Sequence, residues 1–391
     1  MSPLRLKHAT PAYRTFAGPD ALDALPRELD RLGVRRAVLV YGRSLKRETA
    51  ILDRIAAVLG DRLAGHFDGV VAHSPVPAVE AARDALVEHR ADGVVALGGG
   101  SAVVTARAAI ILLAEQRPVR ELCTYRDSDG RLRSPRLEAP KIPTWVVAST
   151  PTTAYAKAGS AVRDPATGER LALYDPKTRA QAVFLDPDVA LTAPHDLVRS
   201  SALNAFAMTV ESLQSTVDNP LAEALLVQAL RLLVRWLPRL DTADGPEARL
   251  RLMVAAVLAG QGTDAYGGGL AQALSHAVGP RSQVANGVVE ALLLPYAMRF
   301  NEPVTADRLA NLGEILRATD AHAALGTNAD PIDTITRLVR AMGVPSRLRD
   351  VGVAQASFPE IVRHALDDWA ITQAPRPIDA EQLLELLTSA W

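Results

Sequence analysis

Apolar residues follow two different rhythms along the chain, and the change of rhythm divides it. Two short β-branched runs, Ala37-Val38-Leu39-Val40-Tyr41 and Gly69-Val70-Val71-Ala72, flank a helical pattern over residues 51–63. A second helical pattern over 78–89 leads into Gly93-Val94-Val95-Ala96-Leu97. Gly98-Gly99-Gly100-Ser101 then opens another helix that runs to about residue 113. Alternating β and α segments predict a parallel sheet with crossover helices. The polar residues Asp164-Pro165-Ala166-Thr167-Gly168 predict a hairpin, and Ala182-Val183-Phe184-Leu185 predicts one more strand before Asp186-Pro187. Beyond Pro194 the texture turns to long Leu- and Ala-rich stretches of helical period, at 201–215, 221–237, 249–258 and 359–369. With no repeat or low-complexity tract, the boundary is expected at a short connection near 190–196, giving an α/β domain over 1–192 and a helical domain over 193–391.

Composition narrows the partners. The chain has 391 residues, of which 48% are hydrophobic, enough for a large core in two domains. Its 43 Lys and Arg against 44 Asp and Glu leave no field for nucleic acid, so a small molecule or cofactor is the expected ligand. Met1-Ser2-Pro3-Leu4-Arg5 has no apolar signal-peptide core, and Gly or Arg breaks the longest apolar stretches. No membrane span is expected, and the cytoplasm is the expected location. The single cysteine, Cys123, reads as a small buried side chain rather than a nucleophile, because no His lies near it in sequence.

A strand feeding three glycines and a serine at a helix start suits a pyrophosphate. The glycines admit the backbone, and the first N–H groups and the helix dipole face the anion. Glycines also make such turns without a ligand, and the pattern is not the GxGxxG fingerprint. The wider context is more specific: Ala91-Asp92-Gly93-Val94-Val95-Ala96-Leu97-Gly98-Gly99-Gly100-Ser101 resembles the cofactor loop of the iron-containing alcohol dehydrogenase superfamily. Phe67-Asp68-Gly69-Val70 and His73-Ser74-Pro75 resemble its maleylacetate reductase branch. Phe184-Leu185-Asp186-Pro187, Leu203-Asn204-Ala205, Leu293-Leu294-Pro295-Tyr296 with Phe300-Asn301, and Pro375-Arg376-Pro377 carry the likeness over nearly the whole chain.

That resemblance implies an N-terminal dinucleotide-binding α/β domain of dehydroquinate synthase-like fold and an all-α C-terminal domain, with the active site in the cleft between them. It also implies NAD or NADP as cofactor, a small-molecule substrate and a homodimer. On this reading Gly98, Gly99, Gly100 and Ser101 hold the pyrophosphate, while Ala148-Ser149-Thr150, with Thr153 nearby, passes beneath the nicotinamide. Pro151-Thr152-Thr153 is the alternative register for that segment. Arg170 stands where the family has a Lys near the phosphates. After the serine, Val104 and Arg107 replace the family's Asp and Lys. At the end of the first strand Tyr41-Gly42-Arg43 lacks the acid that favours the NAD ribose, and Arg43 suits the 2′-phosphate of NADP.

The resemblance departs furthest at the metal. Most of the superfamily holds divalent iron or zinc with one Asp and three His, whereas the matching positions here are Asn204, Met208, Gln272 and Asn286. Neutral amides and a thioether are weak, mixed donors, so no metal is expected, and these side chains become candidates for lining the substrate pocket. His276, four residues after Gln272 on one helix face, matches the family's non-ligand active-site histidine; proton transfer and plain packing both suit it. The other histidines, His8, His66, His73, His89, His195, His322 and His364, match no family active-site position. Tyr155 replaces a usual Glu and is a candidate proton donor or a packing residue. Glu211 is expected to fix helix packing, and Tyr266-Gly267-Gly268-Gly269 to break a helix. Three functions stay open. They are a metal-independent NAD(P)H oxidoreductase of specialised metabolism acting on an activated carbonyl, enone or imine, a dehydratase, cyclase or isomerase on the same scaffold, and a non-catalytic binding protein.

Overall fold

The computed structural model describes Leu6, residues 8–319 and residues 330–391; the opening Met1-Ser2-Pro3-Leu4-Arg5 and His322 lie outside the described residues. The chain divides into two units. One is Pro11–Pro194, and the other is His195–Trp391 joined by the described residues of the first ten. His8 belongs to the second unit, where Asn219 Nδ2 lies 3.2 Å from its Nδ1.

In the first unit the strands are β1 (Arg14–Ala17), β2 (Ala37–Gly42), β3 (Leu63–Val70), β4 (Gly93–Gly98), β5 (Tyr125–Arg126), β6 (Leu132–Arg133), β7 (Thr144–Ala148), β8 (Gly159–Arg163), β9 (Arg170–Tyr174) and β10 (Ala180–Leu185). Six of them form one parallel sheet in the order β1-β10-β7-β4-β2-β3, while β5-β6 and β8-β9 are antiparallel pairs. The helices are α1 (Leu25–Arg31), α2 (Thr49–Leu59), α3 (Val76–Glu88), α4 (Gly100–Glu115) and α5 (Pro187–Leu191).

Strand alternation sorts the core. Leu39, Tyr41, Val95, Leu97, Trp145, Val147 and Phe184 face one way and pack with Leu25 and Leu29 of α1 and with Ile55 and Leu59 of α2. Their alternates Val38, Val40, Val94, Ala96 and Val146 are fully buried on the other face, where α4 packs. Each large apolar side chain so buried contributes about 1.5–3 kcal/mol. The order reverses between β2 and β4, since β3 lies on one side of β2 and β4 on the other. Such a switch point, at the carboxyl ends of the strands, is where open α/β sheets bind ligands. Gly98 ends β4 there, and Tyr41, one residue before the end of β2, is paired with Leu97.

Several strands differ from expectation: β1, β5 and β6 lie where no strand is predicted, and β3 and β7 differ as follows. β3 starts at Leu63 rather than Gly69, and Val71 and Ala72 are exposed beyond it. As an edge strand it is mostly half-buried and carries His66 and Asp68, so no apolar run marks it. β7 was not foreseen, although all five of its residues are buried in the middle of the sheet.

The second unit is helical: α6 (His195–Leu213), α7 (Pro220–Trp236), α8 (Gly245–Asp264), α9 (Leu270–Val278), α10 (Asn286–Arg317), α11 (Pro331–Ala341), α12 (Phe358–Leu366) and α13 (Ala380–Ala390). From Ala205 to Leu213, α6 is buried on every side, packed by α7, α8 and α10. It meets α10 at Gly287, where a side chain would overlap the Ser200 carbonyl, so only glycine lets the two backbones approach this closely. That approach positions the site residues on both helices. Among the described residues no helix is long and apolar enough to cross a membrane.

Candidate functional site

The glycine turn is built largely from main chain. Gly98 has φ +138°, a conformation other residues rarely adopt, and Gly99 is the extended N-cap of α4 with no side chain capping the helix. The first N–H groups of α4 are thus presented at the switch point, as an anion requires. Around them the chain folds back after β7: Ser149 N donates to Gly98 O at 3.1 Å, and Thr150 packs against Gly99 so closely that a Cβ there would fall 2.6 Å from its Oγ1. Thr153 is buried in the following 3-10 turn, and Thr152 Oγ1 accepts from Ala154 N at 3.3 Å. Thr150 of one register and Thr152 of the other therefore both lie against the turn, beside Gly99 and Gly100.

Tyr155 requires a correction. Expected as a proton donor or packing residue, it is wholly buried, and its hydroxyl faces Gly98 O at 3.0 Å and Thr150 O at 2.8 Å while accepting from Thr150 N at 3.3 Å. Burial pushes its hydroxyl up to about 12. With its hydroxyl committed to two backbone carbonyls, it pins the glycine turn instead of meeting a substrate. Arg107 is likewise internal: its guanidinium donates to Gly159 O at 2.6 Å and Ala154 O at 2.9 Å, tying α4 to the chain around β8.

Tyr41 is buried with its ring tilted against His66, and Arg43 stands exposed just beyond β2. Lys46 pairs with Asp68 at the end of β3; that contact, with the fields of His66 and Arg43, holds the Asp68 carboxyl below its usual range. Arg170 on β9 lies opposite Arg163 on β8. Burial first, and then these two guanidiniums, depress the His73 imidazole. Cys123 is buried, donates to Val119 O at 3.0 Å and is pushed up to about 12 by desolvation, which makes it inert. A cavity of 570 Å³ lies at the far end of α4 from the glycine turn; its charged lining residues Arg83 and Arg117 pair with Asp84 and Glu121.

In the helical unit Asn204 and Met208 lie on α6, Gln272 and His276 on α9, and Asn286 at the start of α10. Gln272 Nε2 donates to Met208 Sδ at 3.4 Å, Asn204 Nδ2 donates to Glu290 Oε2, and the Asn286 carboxamide packs against Gly279. Among the described residues no three His, Cys, Asp or Glu side chains converge as a metal-binding group. Glu211 accepts from Ala271 N at 2.6 Å and Gln272 N at 3.2 Å, so a carboxylate of α6 caps α9. Burial raises it to about 7 against the pull of those N–H groups. The Tyr266-Gly267-Gly268-Gly269 stretch separates α8 from α9, and Tyr266 Oη donates to Asn219 O at 3.0 Å.

His276 lies one turn after Gln272 on α9, and its Nδ1 is 2.8 Å from Asp368 Oδ2, both side chains being largely buried. Sequence reasoning missed Asp368 and Glu290. Asp368 is 92 residues from its partner, and only the Asp367-Asp368 pair closing a helical pattern hinted at it. Glu290 gave no signal, because a lone acid in an apolar run is not tied to any partner by sequence.

A parallel sheet with a glycine turn at its switch point, followed by a helical unit, is an architecture suited to binding a phosphorylated cofactor. Comparison places the chain more narrowly. The family profile described as iron-containing alcohol dehydrogenase matches residues 12–187, and that of the Fe-containing alcohol dehydrogenase family C-terminal region matches 199–391. Maleylacetate reductase 1 of Cupriavidus pinatubonensis is 30% identical over 381 residues, covering 97% of this chain and 95% of the relative. Lactaldehyde reductase of Escherichia coli K12 is 27% identical, covering 96% and 97%. The crystal structure of maleylacetate reductase from Rhizobium sp. strain MTP-10005 superposes with a TM-score of 0.78 at 25% identity, covering 100% of this chain and 99% of that one. The chain belongs to the iron-containing alcohol dehydrogenase family, whose members are NAD(P)-dependent oxidoreductases, and lies towards its maleylacetate reductase branch.

Proposed function

We propose that the protein is a metal-independent NAD(P)H oxidoreductase that reduces an activated carbonyl, enone or imine of a small molecule in specialised metabolism. The observation that carries this reading is the chemistry of α6, α9 and α10. Where the family holds a cation, this chain offers a thioether already bonded to an amide, an amide bonded to Glu290 and an amide packed on Gly279, while one imidazole, His276, stands a turn away. That donor set does not fit tightly held iron or zinc, which needs several thiolate, imidazole or carboxylate ligands. The glycine turn, by contrast, fits a pyrophosphate, because α4 begins without a side-chain cap. Exposed Arg43 beside the Lys46–Asp68 pair supports acceptance of a 2′-phosphate, hence NADPH.

A reduced nicotinamide, if bound there, would supply hydride to an electrophilic carbon of the substrate. As the carbonyl π pair moves to oxygen, His276 Nε2 delivers a proton to that oxygen and is reprotonated from solvent. Without a Lewis acid the polarisation must come from hydrogen-bond donors such as the Asn204, Gln272 and Asn286 amides, which favours substrates already electron-poor. Fluorescence titration with NADH and NADPH, followed by turnover of a panel of electron-poor aldehydes, α-keto acids and enones with and without chelator, tests the reading. Tight nucleotide binding and chelator-insensitive oxidation of the nucleotide are expected. Absence of binding to either nucleotide, or activity abolished by chelator and restored by iron or zinc, overturns it.

A further inference from the structure

We propose that Asp368 is a positioning residue that fixes His276 in the Nδ1–H form and steadies its imidazolium, so that Nε2 is the nitrogen exchanging protons with the substrate. The inference rests on the proposed reading of His276 as the proton relay and extends it to a residue on a different segment.

The geometry is specific. Asp368 follows α12, and its Oδ2 lies 2.8 Å from His276 Nδ1. Its other oxygen, Oδ1, accepts from Ala370 N at 2.8 Å, capping the 3-10 turn Trp369–Gln373. One oxygen is held by the backbone and the other aimed at the ring, so the carboxylate has a fixed direction. An ionised carboxylate can only accept, so the proton between the two groups sits on Nδ1. In the neutral ring this leaves Nε2 as the acceptor nitrogen, and in the imidazolium it makes Nε2–H the donor. With side chains 14% and 12% exposed, little water competes for the contact. A histidine kept only for packing has no need of a buried carboxylate, whose desolvation is costly unless a charged partner compensates it.

Asp368→Asn separates orientation from architecture. The asparagine Oδ1 can still accept from Ala370 N and keep the turn, but its Nδ2 places a donor against Nδ1, which drives the ring proton to Nε2. Histidine-labelled protein, with His276→Ala used for assignment, should show by 15N NMR an Nδ1–H ring in the parent and an Nε2–H ring in Asp368→Asn. The melting temperature should change little. In the electron-poor carbonyl assay kcat should fall by about a hundredfold to ten-thousandfold, as for other wrongly tautomerised histidines, while KM and nucleotide affinity stay within about threefold. Asp368→Glu, which keeps the charge, should recover part of kcat. Asp368→Ala should lose the capped turn as well and so be the less stable variant.

An unchanged Nδ1–H signal in Asp368→Asn overturns the proposal. So does full turnover of Asp368→Asn when His276→Ala is impaired, and in that case the relay reading stands without it. Full turnover of both variants means that His276 relays no proton, and the proposal falls together with that reading.

Discussion

The two units treat their inherited devices in opposite ways. In the α/β unit the anion-binding turn consists of backbone: the angle at Gly98, the uncapped start of α4, and neighbouring Thr150 and Tyr155 holding the turn in place. In the helical unit the proposed device consists of side chains: amides and a thioether at Asn204, Met208, Gln272 and Asn286 on α6, α9 and α10, two of which, Gln272 and Met208, touch. A site made of main chain persists as long as the fold does. A site made of side chains can be exchanged without disturbing the fold, because each exchange needs only volume and a hydrogen-bond partner.

The sharpest way to break this contrast is to restore the donors. Asn204→Asp, Met208→His, Gln272→His and Asn286→His together should turn a protein containing less than stoichiometric metal into one that holds about one zinc per chain by elemental analysis. Failure of the quadruple variant, if folded, to bind zinc would mean that the helices no longer present the family's geometry. Next in size, His276→Ala should lower kcat by about a hundredfold or more with nucleotide affinity unchanged, measured by steady-state kinetics and fluorescence titration.

The glycine turn needs a variant that spares the fold. Gly99 is unsuitable, since any Cβ there strikes Thr150, whereas a Cβ at Gly100 meets only Thr152 Oγ1 at an ordinary 3.5 Å. Gly100→Asp places a carboxylate in the first turn of α4, which suits the helix but repels phosphate, so nucleotide affinity should fall at least about tenfold with circular dichroism unchanged. Equal affinity would show that the turn binds no pyrophosphate.

Smaller effects distinguish structural from chemical residues. Glu211 holds its proton to about 7 when folded, against an ordinary value of 4.5, so the folded state binds more protons between those values. Its contribution to stability is therefore greatest below about pH 4.5, declines as pH rises to about 7 and is flat above, at most about 3 kcal/mol in all. Glu211→Gln should flatten that part of the pH dependence in urea melts; an unaltered slope would place the titration elsewhere. Tyr155→Phe should cost about 1–2 kcal/mol of stability and leave turnover within about twofold, because the hydroxyl serves Gly98 and Thr150.

The sequence disclosed most where local pattern and function coincide. The βαβ rhythm, Gly98 to Ser101, and the helical period after Pro194 each announce themselves within a dozen residues. What stayed hidden was set by tertiary neighbours. β3 is an edge strand without an apolar run, and Tyr155 has the chemistry of a proton donor but a location that commits its hydroxyl to two carbonyls. Asp368 and Glu290 acquire meaning only through partners 92 and 86 residues away. Arg107, which in sequence replaces a family Lys, proves to be a strut between α4 and the backbone at Ala154 and Gly159.

The contact at Gly287 bears on how such a protein can be remodelled. Because α6 and α10 meet there backbone to backbone, the spacing between Asn204 and Asn286 is set by a residue with no side chain and is insulated from whatever those two positions carry. For an engineer, the helical unit is then a socket with a fixed bore and interchangeable contents. Libraries confined to Asn204, Met208, Gln272 and Asn286 should yield folded proteins at high frequency, while a single methyl group added at Gly287 should spoil most of them.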